Sequence, residues 1–302
     1  MVISASAQGY DTFVVPSANA PETSYISSVT AYGAASLREA VDIINSGGRA
    51  VPWEKKQWSP KRISYHNDFE DIKGQYGAKR AAEIAAAGGH NMLLVGTPGS
   101  GKTMLAKSMP SILPELTFNE ALEITKIQSI TGIMEAGEGI ASERPFRSPH
   151  HSASTAALVG GGQKAMPGEI SLAHYGVLFL DEIGELGSDE QAMLLRAVEE
   201  KRFLPLGSDR EEGSSFQLIC GTNRDLNAEV AAGRFRSDLL ARIDLWSFEL
   251  PGLAERREDI EPNLEYELNR YAEKSGKRVT FNREARKRFL EFALAPGNAW
   301  PG

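Results

Sequence analysis

A single cysteine, Cys220, stands in a chain of 302 residues. That excludes an internal disulfide and any Cys-rich metal site, and it fits a reducing compartment, with the cytoplasm as the expected location. Long apolar runs are missing as well: no stretch approaches the roughly 18 consecutive apolar residues of a membrane-spanning helix. The N-terminal MVISASAQGYDTFVVPS has no basic segment leading into an apolar one, so neither secretion nor membrane insertion is expected. Positive charge is in deficit. Lys and Arg number 33 against 40 Asp and Glu, a net charge of -7, so the surface as a whole does not attract nucleic acid and any such contact has to be local. Low-complexity tracts and internal repeats are also absent. With 41% hydrophobic and 24% charged residues, the composition is that of a folded globular chain, not of a disordered or disulfide-stapled one.

The length allows about two domains. Near the N-terminus, Thr12 to Val15 and Val29 to Tyr32 read as strands, Asn19, Pro21 and Glu22 as a helix start, and Ser36 to Asn45 as a helix stopped by Ser46-Gly47-Gly48. The polar VPWEKKQWSPKR that follows, with its two prolines, reads as a linker, which places a boundary near residue 50. Beyond it, Asn91–Val95, Val177–Leu180, Phe216–Cys220 and Leu245–Leu250 are short apolar runs separated by helical stretches. Continuous apolar runs of that length suit strands buried on both faces, so the pattern predicts a parallel αβα sheet. Leu253 to Asn269 and Asn282 to Leu294 read as helices with no strand between them, a small helical subdomain.

The chemistry begins directly after the first of these buried strands. Gly96, Thr97, Pro98, Gly99, Ser100, Gly101, Lys102 and Thr103 fit the phosphate-binding P-loop in full, with Met104 continuing into the predicted helix. Glycines let backbone N–H groups turn onto phosphate oxygens, Lys102 reaches the β and γ phosphates, and the Thr103 hydroxyl is a ligand for Mg2+. The apolar VLFL strand then delivers Asp181 and Glu182 to its C-terminal end, where open α/β sheets bind ligands. Asp181 is expected to hold Mg2+ and Glu182 to polarise the attacking water, which makes ATP and Mg2+ the expected cofactors.

Three further groups are open to more than one reading. Asn223, at the end of the next strand, either orients the water or caps the helix that starts near Asn227. Arg234, Arg236 and Arg242 lie in AGRFRSDLLARID. They either reach a neighbouring subunit's nucleotide, as guanidinium groups supplied in trans do, or pair on the surface with Asp238, Asp244 or Glu249. In RPFRSPHH and the glycines after it, Arg144, Arg147 and Lys164 are candidates for phosphate contacts in a central pore. His150, His151 and His174 read as structural, because neighbours in sequence rarely converge on one metal ion.

These motifs together resemble an AAA+ ATPase, and the likeness narrows further. From Asp68 through Glu182 the chain resembles the magnesium-chelatase-like ComM/YifB family, in DIKGQYGAKRAAEIAAAGGHNMLLVGTPGSGKTMLAKSMPSILP, RPFRSPHHSASTAALVGGG and PGEISLAHYGVLFLDE. FVVPSANAPE and VTAYGAASLREAVDIIN resemble the end of the Lon-protease-like α+β domain that precedes the ATPase in that family. The part that holds a Ser/Lys site in true Lon proteases has no counterpart in these residues, so no peptidase is expected. After Glu182, the stretches IGELGSDEQAMLLRAVEEKRFLPLGSDRE and GTNRDLNAEVAAGRFRSDLLARIDLWSFELPGLAERREDIEPNLEYE, with the closing WPG, resemble RtcR-type enhancer-binding regulators of the alternative sigma factor.

The resemblance implies residues 1–50 as a Lon-like fragment, 51–66 as linker, 67–250 as AAA+ core and 251–302 as a truncated helical lid. It implies a nucleotide-dependent homo-oligomer, a hexamer in the family, that works on branched DNA. On the alternative side it implies a regulator acting on a sigma factor and RNA polymerase. Arg236 and Arg242 align with arginines that act in trans in the regulator family. The sigma-gripping GAFTGA-type loop is replaced here by RPFRSPHH. The chain stops at Pro301-Gly302, before the arginine that follows WPGN in the family's lid, so impaired turnover is expected.

Overall fold

A computed structural model describes residues 1–59, 65, 67–133, 139–150, 153–161 and 166–294. The chain divides into two compact units, Met1–Ile63 with Glu115–Glu143, and Ser64–Pro114 with Arg144–Gly302.

The first unit holds a parallel pair of strands, β1 (Thr12–Pro16) and β2 (Thr30–Ala34), in register from Thr12 opposite Thr30 to Pro16 opposite Ala34. Both lie within a residue or two of the runs expected from the sequence. The helix Leu37–Asn45 starts where Ser36 accepts a hydrogen bond from Glu39 N at 3.2 Å. Its Leu37, Val41 and Ile44 fall on one stripe and are exposed. The stretch read as a linker is tied down: Trp53 N donates to Ala31 O at 2.7 Å and Lys56 N to Ser24 O at 3.0 Å. The helix Phe118–Thr131 opens on a reciprocal cap, with Thr117 N donating to Glu120 Oε2 and Glu120 N to Thr117 Oγ1, and ends at the left-handed Gly132. Residues 115–143 therefore group with the N-terminal residues, although they fall inside the range expected for the ATPase core.

The second unit is built on five parallel strands: β3 (Met92–Val95), β4 (Phe146–Arg147), β5 (Val177–Leu180), β6 (Gln217–Thr222) and β7 (Ser247–Glu249). Their order is β7-β3-β6-β5-β4. Side chains alternate between two cores. Met92, Leu94, Phe179 and Ile219 pack on the helices Tyr76–Gly88 and Lys102–Ser108, through Ala82, Ala85 and Leu105. Leu93, Leu178, Leu180 and Leu218 pack on the other side with Ile170, Leu194, Leu239 and Ile243. β5 and β6 are buried along their whole length. That double burial is what the unbroken apolar runs encode.

β4 was not legible in the sequence. It is a two-residue edge strand, pairing Phe146 with Val177 and Arg147 with Leu178, too short and too charged to carry a periodicity. The helix expected over Leu253–Asn269 is instead two 3-10 turns, Leu253–Glu255 and Arg257–Asp259, followed by a helix over Ile260–Ser275. Pro262 explains the late start: lacking an N–H, it is tolerated only in a helix's first turn. The second helix, Arg283–Ala293, closes a small core with Leu253 and Ile260. His151, Gly162, Lys164 and the closing Pro301-Gly302 lie outside the described residues.

Candidate functional site

Strand register assembles the site. With Val95 opposite both Thr222 and Glu249, and Leu180 opposite Cys220, β3, β5, β6 and β7 end along one edge of the sheet. Gly96, Asp181 and Asn223 emerge there. The backbone continues the ladder one step further, Gly96 N donating to Thr222 O at 3.0 Å and Leu250 N to Val95 O at 2.7 Å. A Cβ on Gly96 would lie 2.7 Å from Leu250 O, so the loop can leave the strand here only without a side chain.

Within the loop, Lys102 is 6% exposed, and its Nζ donates to Gly96 O at 2.7 Å and Thr97 O at 3.2 Å. The ammonium is thus held over the loop by the loop's own neutral carbonyls, a weaker pairing than the ion pair a phosphate offers. Ser100 Oγ is buried and finds no hydrogen-bond partner. An orphaned hydroxyl of this kind carries a desolvation cost of about 1–3 kcal/mol, which a polar ligand relieves. Ser100 O has two donors from distant parts of the chain, Gln75 Nε2 at 2.7 Å and Arg256 Nη2 at 3.2 Å. The exposed Met104 begins the helix face beyond the loop.

Thr103 and Asp181, 78 residues apart, meet: Thr103 Oγ1 donates to Asp181 Oδ2 at 3.0 Å. The other carboxylate oxygen accepts from Glu182 N at 3.1 Å. Asp181 lies across β6 at Gly221, where a Cβ would stand 2.5 Å from Oδ1. The one small residue inside an otherwise bulky strand is the sequence signal for that close approach. Among the described residues no group of three or more His, Cys, Asp or Glu could hold a metal. A hydroxyl beside a carboxylate nevertheless suits Mg2+, which keeps most of its water and takes few protein oxygens. Glu182 sits at φ 50, ψ 49, a left-handed conformation that costs a non-glycine residue about 1–3 kcal/mol and tends to occur at functional sites.

Asn223 is exposed at the end of β6, on a cleft of about 370 Å³ shared with Val95, Thr222 and Glu249. The capping alternative for it fails. The helix Leu226–Ala231 is capped by Asp225, whose Oδ1 accepts from Asn227 N at 2.9 Å and Ala228 N at 3.2 Å. Next to Asn223, Arg224 Nη2 pairs with Glu185 Oε1 at 2.7 Å, linking the β6 turn to the turn after Glu182.

The arginines are exposed and engaged with carboxylates, not with the P-loop or Asp181. Arg236 forks onto Asp238 at 3.0 and 2.6 Å, Arg234 onto Glu229 at 2.6 and 3.0 Å, and Arg242 Nε donates to Glu199 Oε1 at 2.5 Å. Of the surface partners expected, Asp238 is met, while Arg242 takes Glu199 in place of Asp244 or Glu249. The hydrogen bond from Arg236 holds the Asp238 carboxyl below its ordinary range.

The two described arginines of RPFRSPHH are engaged within their own chain. Arg147 donates to both oxygens of Glu169 at 2.6 and 2.7 Å, and that hydrogen bond raises its pKa. Arg144 donates to Pro114 O and Tyr175 O, each at 2.7 Å. His174 is structural as expected, its Nδ1 accepting from Ser215 N at 2.9 Å. Cys220 is fully buried, and burial pushes its thiol pKa up, as for an inert core residue.

Comparison with known proteins follows the same outline. Residues 68–231, just over half of the chain, match the family described as magnesium chelatase, subunit ChlI. The transcriptional regulatory protein RtcR of Escherichia coli (strain K12) is 58% identical over 142 residues, 47% of this chain and 27% of that protein. Competence protein ComM of Haemophilus influenzae is 44% identical over 176 residues, 57% of this chain and 34% of that protein. The chain thus spans about half or less of the length of the curated relatives it matches. Among solved structures, NtrX from Brucella abortus in complex with ATP gives a TM-score of 0.59 at 17% identity, covering 97% of this chain and 79% of that one, a likeness of fold.

Proposed function

The chain belongs to the magnesium chelatase, subunit ChlI, family, and from that premise we propose that it binds and hydrolyses Mg-ATP as an AAA+ ring motor, most like ComM in acting on branched DNA. The observation that carries the ATPase reading is the 3.0 Å contact between Thr103 and Asp181, which joins the P-loop to the acidic strand across 78 residues. Phosphate replaces the Gly96 and Thr97 carbonyls on Lys102, and the loop's N–H groups and Ser100 Oγ take up the remaining phosphate oxygens. Thr103 and Asp181 would hold Mg2+, which when bound would supply charge neutralisation on the phosphates. Glu182 accepts a hydrogen bond, and then the proton, from the water that attacks the γ phosphorus, and Asn223 orients that water.

Arg236 and Arg242 exchange their carboxylate partners for the nucleotide of a neighbouring copy. Hydrolysis is thereby coupled to assembly of the homo-oligomer, a hexamer on the family's pattern. A second reading is favoured by the 58% identity to a transcriptional regulatory protein: an ATP-dependent regulator acting on a sigma factor and RNA polymerase. Steady-state ATP turnover separates them. Stimulation by branched DNA, lost in Lys102→Ala and Glu182→Gln, supports the DNA motor. Stimulation by sigma-factor-bound polymerase but not by DNA replaces it with the regulator. Absence of ATP binding by the unmutated chain overturns both.

A further inference from the structure

The back of the P-loop is wired to two segments distant in sequence from both the P-loop and the acidic strand. Ser100 O accepts from Gln75 Nε2 at 2.7 Å and from Arg256 Nη2 at 3.2 Å. Both donors are held in turn by Asp259, whose Oδ2 accepts from Gln75 N at 3.0 Å and from Arg256 Nη1 at 2.9 Å. The Arg256 and Asp259 side chains are only 11% and 6% exposed, and Arg256 Nε also donates to Pro251 O at 2.9 Å. Two glycines make the approach possible. A Cβ on Gly74 would lie 1.9 Å from Asp259 Cγ, and one on Gly101 would lie 2.8 Å from Gln75 Nε2. Both sit at left-handed φ, 72 and 103.

The consequence follows from peptide geometry. The chain has no cis peptide bonds among its described residues, and in a trans peptide the N–H points opposite to the preceding C=O. Anchoring Ser100 C=O to Gln75 and Arg256 therefore turns the Gly101 N–H away from them, the arrangement by which a nest of successive N–H groups is presented to an anion. Without those donors the Ser100–Gly101 peptide, which turns about ψ of Ser100 and φ of the permissive Gly101, is free to rotate and remove that N–H.

We infer that Gln75 and Arg256 are positioning residues for nucleotide phosphate: they hold the Ser100–Gly101 peptide in the orientation that binds a β phosphate, with Asp259 keeping both donors in place. The inference rests on the nucleotide-binding reading of the P-loop and adds a prediction specific to the number of phosphates. A group that orients one N–H of the nest affects ligands that reach the nest and leaves shorter ones alone.

The test is equilibrium binding of ATP, ADP and AMP to the full chain and to Gln75→Met, which keeps the side chain's length and removes its donor. Arg256 and Asp259 stay paired in this variant, so no buried charge is stranded. Thermal unfolding is recorded beside it to establish that the variant is folded. Affinity for ATP and ADP is expected to fall about tenfold, equivalent to roughly 1.4 kcal/mol, while AMP binding stays unchanged. Arg256→Lys, which keeps a cation beside Asp259 but loses the fork, is expected to show the same phosphate-dependent pattern. Equal loss for all three nucleotides, or no loss in a folded variant, overturns the inference. Failure of the unmutated chain to bind any of the three instead overturns the P-loop reading on which it rests.

Discussion

The sheet edge and the arginine-bearing helix Ser237–Ile243 differ in how much of their chemistry one chain completes. At the sheet edge, Lys102, Thr103, Asp181 and Glu182 are brought together by strand register and tied by hydrogen bonds of 2.7–3.2 Å within a single copy. On the helix and its cap, Arg236 and Arg242 are exposed and face carboxylates of their own surface, Asp238 and Glu199. A buried core fixes the first group, because shifting β5 or β6 by one residue would turn every apolar side chain to the wrong face. Nothing comparable fixes the second. Exposed ion pairs exchange partners at little cost, which suits the proposed exchange of these arginines onto a neighbouring copy's nucleotide.

Each half of that contrast can be broken separately. The largest effect is expected from Glu182→Gln, which should lower kcat by about 10²–10⁴ while leaving the dissociation constant for ATP nearly unchanged, because a general base acts only on the attacking water. Lys102→Ala should cost about 10²–10³ in kcat/KM and weaken binding as well, since the proposed mechanism has Lys102 meeting phosphate in the ground state and in transit. Asn223→Ala is expected to lower kcat by about tenfold with little change in KM, the loss of one orienting hydrogen bond.

The arginines invite a test of a different kind. Chains carrying Arg236→Ala and chains carrying Glu182→Gln should each turn over little alone and regain turnover when mixed, because some interfaces then combine an intact arginine with an intact Glu182. A mixture as inactive as its components would place the arginine's action within its own chain. The smallest effect is on protonation. Asp238 is depressed by Arg236, so the pair is present above the ordinary carboxylate range and is lost as pH falls through the folded value. Arg236→Ala should therefore raise the Asp238 titration midpoint measured by NMR, and leave the unfolding temperature at neutral pH unchanged.

The same contrast explains what could be read from the sequence. The P-loop is contiguous, and the strands that deliver Asp181 and Asn223 are buried on both faces, so motif and hydrophobic run coincide with their structural cause. Of the two readings of Asn223, the structure decides only against the helix cap, which Asp225 supplies. What stayed hidden depends on contacts between distant segments. β4 exists only as the partner of β5. Arg144 and Arg147 carry the composition of a phosphate-binding patch, yet their partners are Pro114 O, Tyr175 O and Glu169, which no local pattern announces. The link from Gln75 and Arg256 to Ser100 spans 25 and 156 residues. Gly74 and Gly101 were its only local traces, two glycines whose spacing has meaning once Asp259 and Gln75 are seen against them.

The division of labour at the sheet edge is the centre of the proposed mechanism. ATP binding and steady-state hydrolysis, measured together in the presence of Mg2+ for the unmutated chain and for Glu182→Gln, test it in one experiment. The expected result is equal ATP affinity in the two proteins and phosphate release by the unmutated chain alone. Phosphate release by Glu182→Gln at the unmutated rate would contradict the account, because the carboxylate on the acidic strand would then have no part in activating the water.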